Sequence, residues 1–208
     1  MYDVEAFRED RAEVMHALIK AHPLATLVTQ TARGLEANHI PFLIDPEPTP
    51  FGTLRGHVAR ANPVWRTLLA DAEVLAVFQG PQGYITPSWY PSKVATGKVV
   101  PTWNYAMVHA QGPLKVYEDA EWLRKLVTRL TDSQEVLRAK PWHVTDAPDD
   151  YINTMLKAIV GIEIPVRRLQ GKWKMSQNRL PQDHAGVVDG LTARDDAASV
   201  AMLDAMRR

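Results

Sequence analysis

The 208-residue chain has no cysteine, which excludes disulfides, thiolate metal sites, iron–sulfur clusters and a cysteine nucleophile. It has no net charge either, since 24 Lys and Arg balance 24 Asp and Glu. Non-specific affinity for nucleic acid comes from neutralising phosphates, so this balance gives no global pull toward it and leaves room only for one local basic face. No apolar stretch approaches the roughly 20 residues of a membrane helix. The opening MYDVEAFREDRAEV is acidic and polar, unlike the basic-then-apolar start of a secretory signal. A cytoplasmic protein with no membrane contact is the expectation. HExxH, GxSxG and glycine-rich phosphate loops are missing too, which argues against a zinc protease, a nucleophile-elbow hydrolase and a Rossmann enzyme.

What is present supports a proper core, with 46% hydrophobic residues. The chain reads as a single domain over 1–208 with a C-terminal helical extension from about 181. Helical spacing predicts a helix over 4–21, ended by His22-Pro23. Residues 24–29 and 35–44 read as two strands around a turn containing Gly34, and 45–50, with three prolines, as a loop. Strands follow over 53–58 and 74–79, with a short helix opened by Asn62-Pro63 between them. Gly80 to Gly83 reads as a turn and 101–117 as a strand region. Helices are expected over 122–137 and 151–158, a last strand over 159–169, and a helix-prone tail from Gln182 to Arg208 weakened by Gly186 and Gly190. Short strands interrupted by helices predict a mainly β fold with α additions, an antiparallel barrel rather than a parallel sheet.

Polar-aromatic clusters carry the functional signal: HIPF at 39–42, GHVARANPVW at 56–65, GYITPSWY at 83–90, VPTWNYAMVHAQG at 100–112 and GKWKMSQN at 171–178. Tryptophans Trp65, Trp89, Trp103 and Trp173 lie in them beside Pro, His, Asn, Ser or Lys, a mixture suited to stacking on a flat ligand and bonding its edge. In the second cluster a strand runs through His57, Arg60 follows, and Asn62 caps a helix start. That arrangement is either a phosphate seat or an ordinary strand–helix junction. Thr102-Trp103-Asn104-Tyr105 offers an amide to a heteroaromatic edge, or is a half-buried strand whose aromatics fill the core. Lys172, Trp173, Lys174, Gln177 and Asn178 could clamp an anionic ligand by stacking plus charge, or form a solvated face. His39, His57 and His109 fall on expected strands, with structural roles favoured over metal ligation.

Taken in order, HPLATLVT, HIPF, GHVARANPVW, YITPSWY, VPTWNY and GKWKMSQN resemble the PaiB family of FMN-binding negative transcriptional regulators. The resemblance covers almost the whole chain. It implies an antiparallel split β-barrel of the FMN-binding type with C-terminal helices, and a homodimer holding FMN at its interface. It maps the FMN phosphate onto His57, Arg60 and Asn62, and sets Thr102, Trp103 and Asn104 facing the ring system. His39 belongs to the implied site as well, and the segment carrying Lys172, Trp173, Lys174, Gln177 and Asn178 would reach a partner subunit's site. The flavin would serve redox or ligand sensing in a regulator, or catalysis in a small-molecule oxidoreductase. Direct DNA binding has only Arg167-Arg168, Lys172 with Lys174, and Arg207-Arg208 in its favour, and the candidate helices are acidic or mixed rather than basic.

Overall fold

In the computed structural model, which describes residues 1–2, 4–69 and 72–207, the chain does not open with the long helix predicted over 4–21. A two-residue strand, β1 (Arg8–Glu9), precedes helix α1 (Ala12–Ala21). β1 pairs antiparallel with a C-terminal strand, Arg8 opposite Lys172 and Glu9 opposite Gly171. The Glu9 carboxylate then accepts from the Arg11 backbone N–H and guanidinium at 2.9 and 2.8 Å. A partner more than 160 positions away thus overrides the local helical period.

The hairpin follows as β2 (Leu24–Thr31) and β3 (Gly34–Pro41), joined at Gly34, whose φ of 110° lies in the region open to glycine. β4 (Leu43–Asp45) and β5 (Thr53–Ala59) flank the proline loop, and α2 (Val64–Thr67) is shorter than predicted. β6 (Glu73–Ile85) runs straight through the Gly80–Gly83 segment read as a turn. Its buried positions fall on even numbers through Gly80 and on Ile85 thereafter, so the chain bends without leaving the sheet. Next come α3 (Ser92–Thr96), β7 (Thr102–Pro113), β8 (Lys115–Tyr117), α4 (Ala120–Glu135) and α5 (Asp149–Lys157). The last strand predicted over 159–169 is two, β9 (Ile159–Pro165) and β10 (Arg168–Lys174), followed by α6 (Pro181–Arg194) and α7 (Ala197–Met206). Arg208 lies outside the described residues.

A six-stranded sheet runs in the order β1-β10-β7-β6-β2-β3 and a four-stranded one in the order β4-β5-β9-β8. The pairs β1–β10, β2–β3, β2–β6, β4–β5, β5–β9 and β8–β9 are all antiparallel. The mainly β class with antiparallel sheets and C-terminal helices therefore holds. Among the described residues no helix is long and apolar enough to cross a membrane.

The chain divides into two units, the first Met1–Leu18, Gln79–Val108 and Gln170–Arg208, the second Ile19–Phe78 and His109–Leu169. In the second, α4 is capped by the Asp119 side chain, which accepts from Trp122 N at 2.7 Å. Trp122 stacks on Tyr117 at 4.3 Å and lies over Gly161, where a Cβ would meet its ring at 2.1 Å. Leu123, Val144, Ile152 and Leu156 form the core beneath α4 and α5. In the first, α6 keeps both glycines of its weak half because Trp89 packs there. A Cβ on Gly186 would stand 2.0 Å from the Trp89 carbonyl oxygen, and one on Gly190 2.3 Å from its ring. Gly186→Ala must therefore push α6 away from backbone, a costly overpacking of about 1–3 kcal/mol or more. Its thermal midpoint should fall clearly below wild type, and an unchanged midpoint would contradict this packing.

Candidate functional site

In the second unit the fold brings HIPF and GHVARANPVW together. Asn62 Nδ2 donates to Asn38 Oδ1 at 2.7 Å, while Asn62 Oδ1 accepts from Val64 N at 3.0 Å. The N-cap position of α2 is Pro63 and not Asn62 as expected, and Asn62 instead accepts from the first helical N–H from one residue further out. His39 is exposed on β3, its Nδ1 3.3 Å from the Thr26 hydroxyl. Trp65 lies beside them on α2, its indole N–H donating to the Arg60 carbonyl at 3.3 Å. The Arg66 guanidinium stacks on the Trp65 ring at 4.0 Å.

Arg60 does not stand free as the expected seat pictured it. Its guanidinium donates to the Lys157 and Ile159 carbonyls at 2.7 and 3.2 Å and pairs with Glu118. These bonds tie the end of β5 to the α5–β9 turn. Arg66, which sequence reasoning passed over, is the junction's cation with no acidic partner among the described residues.

His57 opens on something else. Its ring lines a cavity of about 1000 Å³ between α4 and the β3–β5 region of this unit. Nδ1 is enclosed with no hydrogen-bond partner, and burial pushes the ring's pKa below the ordinary histidine value. Burial does the same to His109. His39, His57 and His109 do not gather into a metal-binding cluster among the described residues.

The first unit brings VPTWNY and GKWKMSQN together. Lys174 Nζ donates to the Thr102 hydroxyl at 2.7 Å, and Asn104 bonds the Ser176 hydroxyl at 3.0 Å. Asn104 is fully buried and Ser176 nearly so, with Ser176 held at a φ of 63°. Asn104 therefore closes a buried pair rather than presenting its amide to a ligand. Trp173 and Lys172 are buried too, Lys172 donating to the Tyr2 carbonyl at 3.0 Å and lying 5.8 Å from the Tyr105 ring. Gln177 folds back on its own turn, accepting from Met175 N at 2.6 Å and donating to the Trp173 carbonyl, while Asn178 is exposed. What faces outward is Trp103, 48% exposed, edge-to-face with the equally exposed Tyr84 and donating to Gln82 Oε1 at 3.0 Å.

Asn38, Gln82 and Arg66 were the residues missed, and Ser176 stood within GKWKMSQN without being singled out. Asn38 and Ser176 each adjoin a residue that was singled out. An asparagine inside a strand was the usable signal at 38, because that residue is depleted from strands.

Comparison with known proteins bears on this arrangement. The family model described as "Putative FMN-binding domain" matches residues 1–168. An uncharacterized protein of Emericella nidulans is 37% identical, over 91% of this chain and 90% of its own. The Bacillus subtilis protease synthase and sporulation protein PAI 2 is 32% identical over 99% of this chain and 96% of its own. Among solved structures, the flavocytochrome Anf3 from Azotobacter vinelandii shares the fold at a TM-score of 0.57 and 12% identity, covering 80% of this chain and 69% of that one.

Proposed function

This chain belongs to the PaiB family, built on the domain described as "Putative FMN-binding domain", and on that premise we propose that it is a homodimeric, FMN-binding regulator. The carrying observation is the Asn62–Asn38 bond, which ties GHVARANPVW to β3 at the residue just before HIPF. The groups gathered there suit FMN. Trp65 offers an indole face, Asn38 an amide N–H with no described partner, and Arg66 a guanidinium for the phosphate. His39 and Thr26 add polar groups on the neighbouring strands. When bound, the flavin supplies reversible electron acceptance, and these residues orient it and neutralise its phosphate.

A second copy of the chain suits the open face of β2 and β3. Leu24 and Leu35 are 61% and 74% exposed there, and β3 ends the six-stranded order. Such an edge and face are what an interface buries. On this reading the homodimer holds FMN at its interface in the cytoplasm. The regulatory role would rest on flavin or ligand sensing more than on a cationic surface. Arg167 pairs with Glu73, Arg168 bonds Gln111, Lys172 is buried and Arg207 pairs with Asp204.

The test is direct. Purified protein titrated with FMN should develop a bound-flavin absorption band with tryptophan quenching, and light scattering should report a dimer. Failure to take up FMN at tens of micromolar would remove the reading. An FMN-dependent oxidoreductase is the second reading, favoured by the cavity at His57 as room for a small molecule. Reduction of bound FMN by NADH or NADPH no faster than that of free FMN would remove it.

A further inference from the structure

The cavity of about 1000 Å³ in the second unit stands at the upper end of the range for small-molecule sites. Pro41, Phe42 and Ile44 give it an apolar floor. Its acidic residues already have partners: Asp45 pairs with Arg55 and Arg129, Glu135 with Arg138 and the Trp142 N–H, and the half-exposed Asp132 lies 3.3 Å from His143 Nδ1. Lys20, in contrast, lines the cavity with no ion pair or hydrogen bond among the described residues. His57 lines it with no hydrogen bond at either ring nitrogen.

We propose that this cavity binds a small organic anion, a monocarboxylate with an apolar body, recognised by the Lys20 ammonium and the His57 ring N–H. The His57 tautomer follows from its enclosure. A buried donor without a partner is rarer and costlier than a bare acceptor, so the proton sits on Nε2 and the enclosed Nδ1 stays unprotonated. Burial keeps the ring neutral near pH 7. One uncompensated ammonium and one neutral N–H donor thus face an apolar floor, which matches a single negative charge on a hydrocarbon body. A metal cation finds no cluster of His, Asp or Glu ligands there among the described residues. This goes beyond the flavin reading, because FMN is assigned to the Asn38–Asn62 surface and the cavity takes a second ligand.

Benzoate and hexanoate are the probes, with benzyl alcohol as the neutral control, measured by saturation-transfer NMR and calorimetry on the full chain with and without FMN. Both acids should saturate one site that benzyl alcohol does not fill. Lys20→Gln, a change at an exposed side chain, should weaken benzoate roughly ten- to hundredfold, the value of one charge-assisted contact. His57→Phe, which keeps the ring shape, should weaken it as well. Equal binding of benzyl alcohol, no binding of either acid at about 10 mM, or an unchanged affinity in Lys20→Gln would each overturn the proposal. Stoichiometric displacement of benzoate by FMN would also overturn it, while leaving flavin binding intact. Benzoate binding by a protein that takes up no FMN would support the cavity and refute the flavin reading.

Discussion

Exchanging Arg55 for methionine should lower the protein's stability by about 2–3 kcal/mol, more than any other single charge removal expected here. Arg55 sits in the middle of a chain of charges across the four-stranded sheet. Its Nε donates to Glu163 Oε2 at 2.8 Å and its other end pairs with Asp45. Glu163 is buried and also accepts from the Tyr117 hydroxyl at 3.2 Å, while Asp45 pairs with Arg129 on α4. Removing the central guanidinium leaves Glu163 facing only Tyr117 and an exposed Lys115 ammonium at 3.6 Å. A fully buried pair broken this way costs about 3–5 kcal/mol, and the partial exposure of Arg55 brings the figure to the lower side.

The pH dependence follows from the same chain. Burial opposes the charged form of Asp45, but the hydrogen bonds and charges of Arg129 and Arg55 outweigh it and hold its carboxyl below the usual range. A carboxyl depressed in the folded state stabilises above its unfolded pKa, about 4, and that stability drains as pH falls through the folded value. The Tyr117 hydroxyl moves the other way, raised by burial and then by Glu163. Its contribution is full below about pH 10 and lost as pH rises through its folded value. Urea midpoints between pH 3 and 7 should show the acid loss in wild type and a shallower one in Arg55→Met with Arg129→Met. Equal midpoints for wild type and Arg55→Met at pH 7 would show that the chain of charges adds no stability.

What the sequence disclosed and what it hid divide along local and distant causes. β2, β3 and α4 were legible because one covered face writes its own period, 2 in the strands and 3.6 in the helix. β10 was not, because Leu169, Gly171, Lys172 and Trp173 are all buried and the alternation is erased. The first helix was over-extended because β1 exists only through its pairing with β10. In the candidate sites the chemistry of the clusters was readable but the burial was not. Nothing near Asn104 announces that Ser176, 72 positions on, will take its amide. Nothing near Arg60 announces Glu118, 58 positions away. The family, by contrast, was carried by contiguous motifs and needed no such distant partner.

Arg66→Ala should weaken FMN roughly ten- to hundredfold while riboflavin, which lacks the phosphate, binds almost as before. The argument rests on which cation is free. Arg60 is held by Glu118 and two carbonyls, whereas the Arg66 guanidinium rests on the Trp65 ring at 4.0 Å with no acidic partner among the described residues. A stacked guanidinium keeps its in-plane donors for an oxyanion and has lost part of its side-chain entropy in advance. Arg60→Ala should act differently, removing bonds that join β5 to the α5–β9 turn and costing about 1–2 kcal/mol of stability. Its effect on FMN and riboflavin should then be equal. Parallel titrations of both ligands against both variants, each with a melting curve, separate the roles. A loss confined to FMN in Arg60→Ala would show that Arg60 leaves Glu118 for the phosphate, restoring the seat read from the sequence. Unaltered FMN affinity in Arg66→Ala would take the phosphate away from the α2 junction.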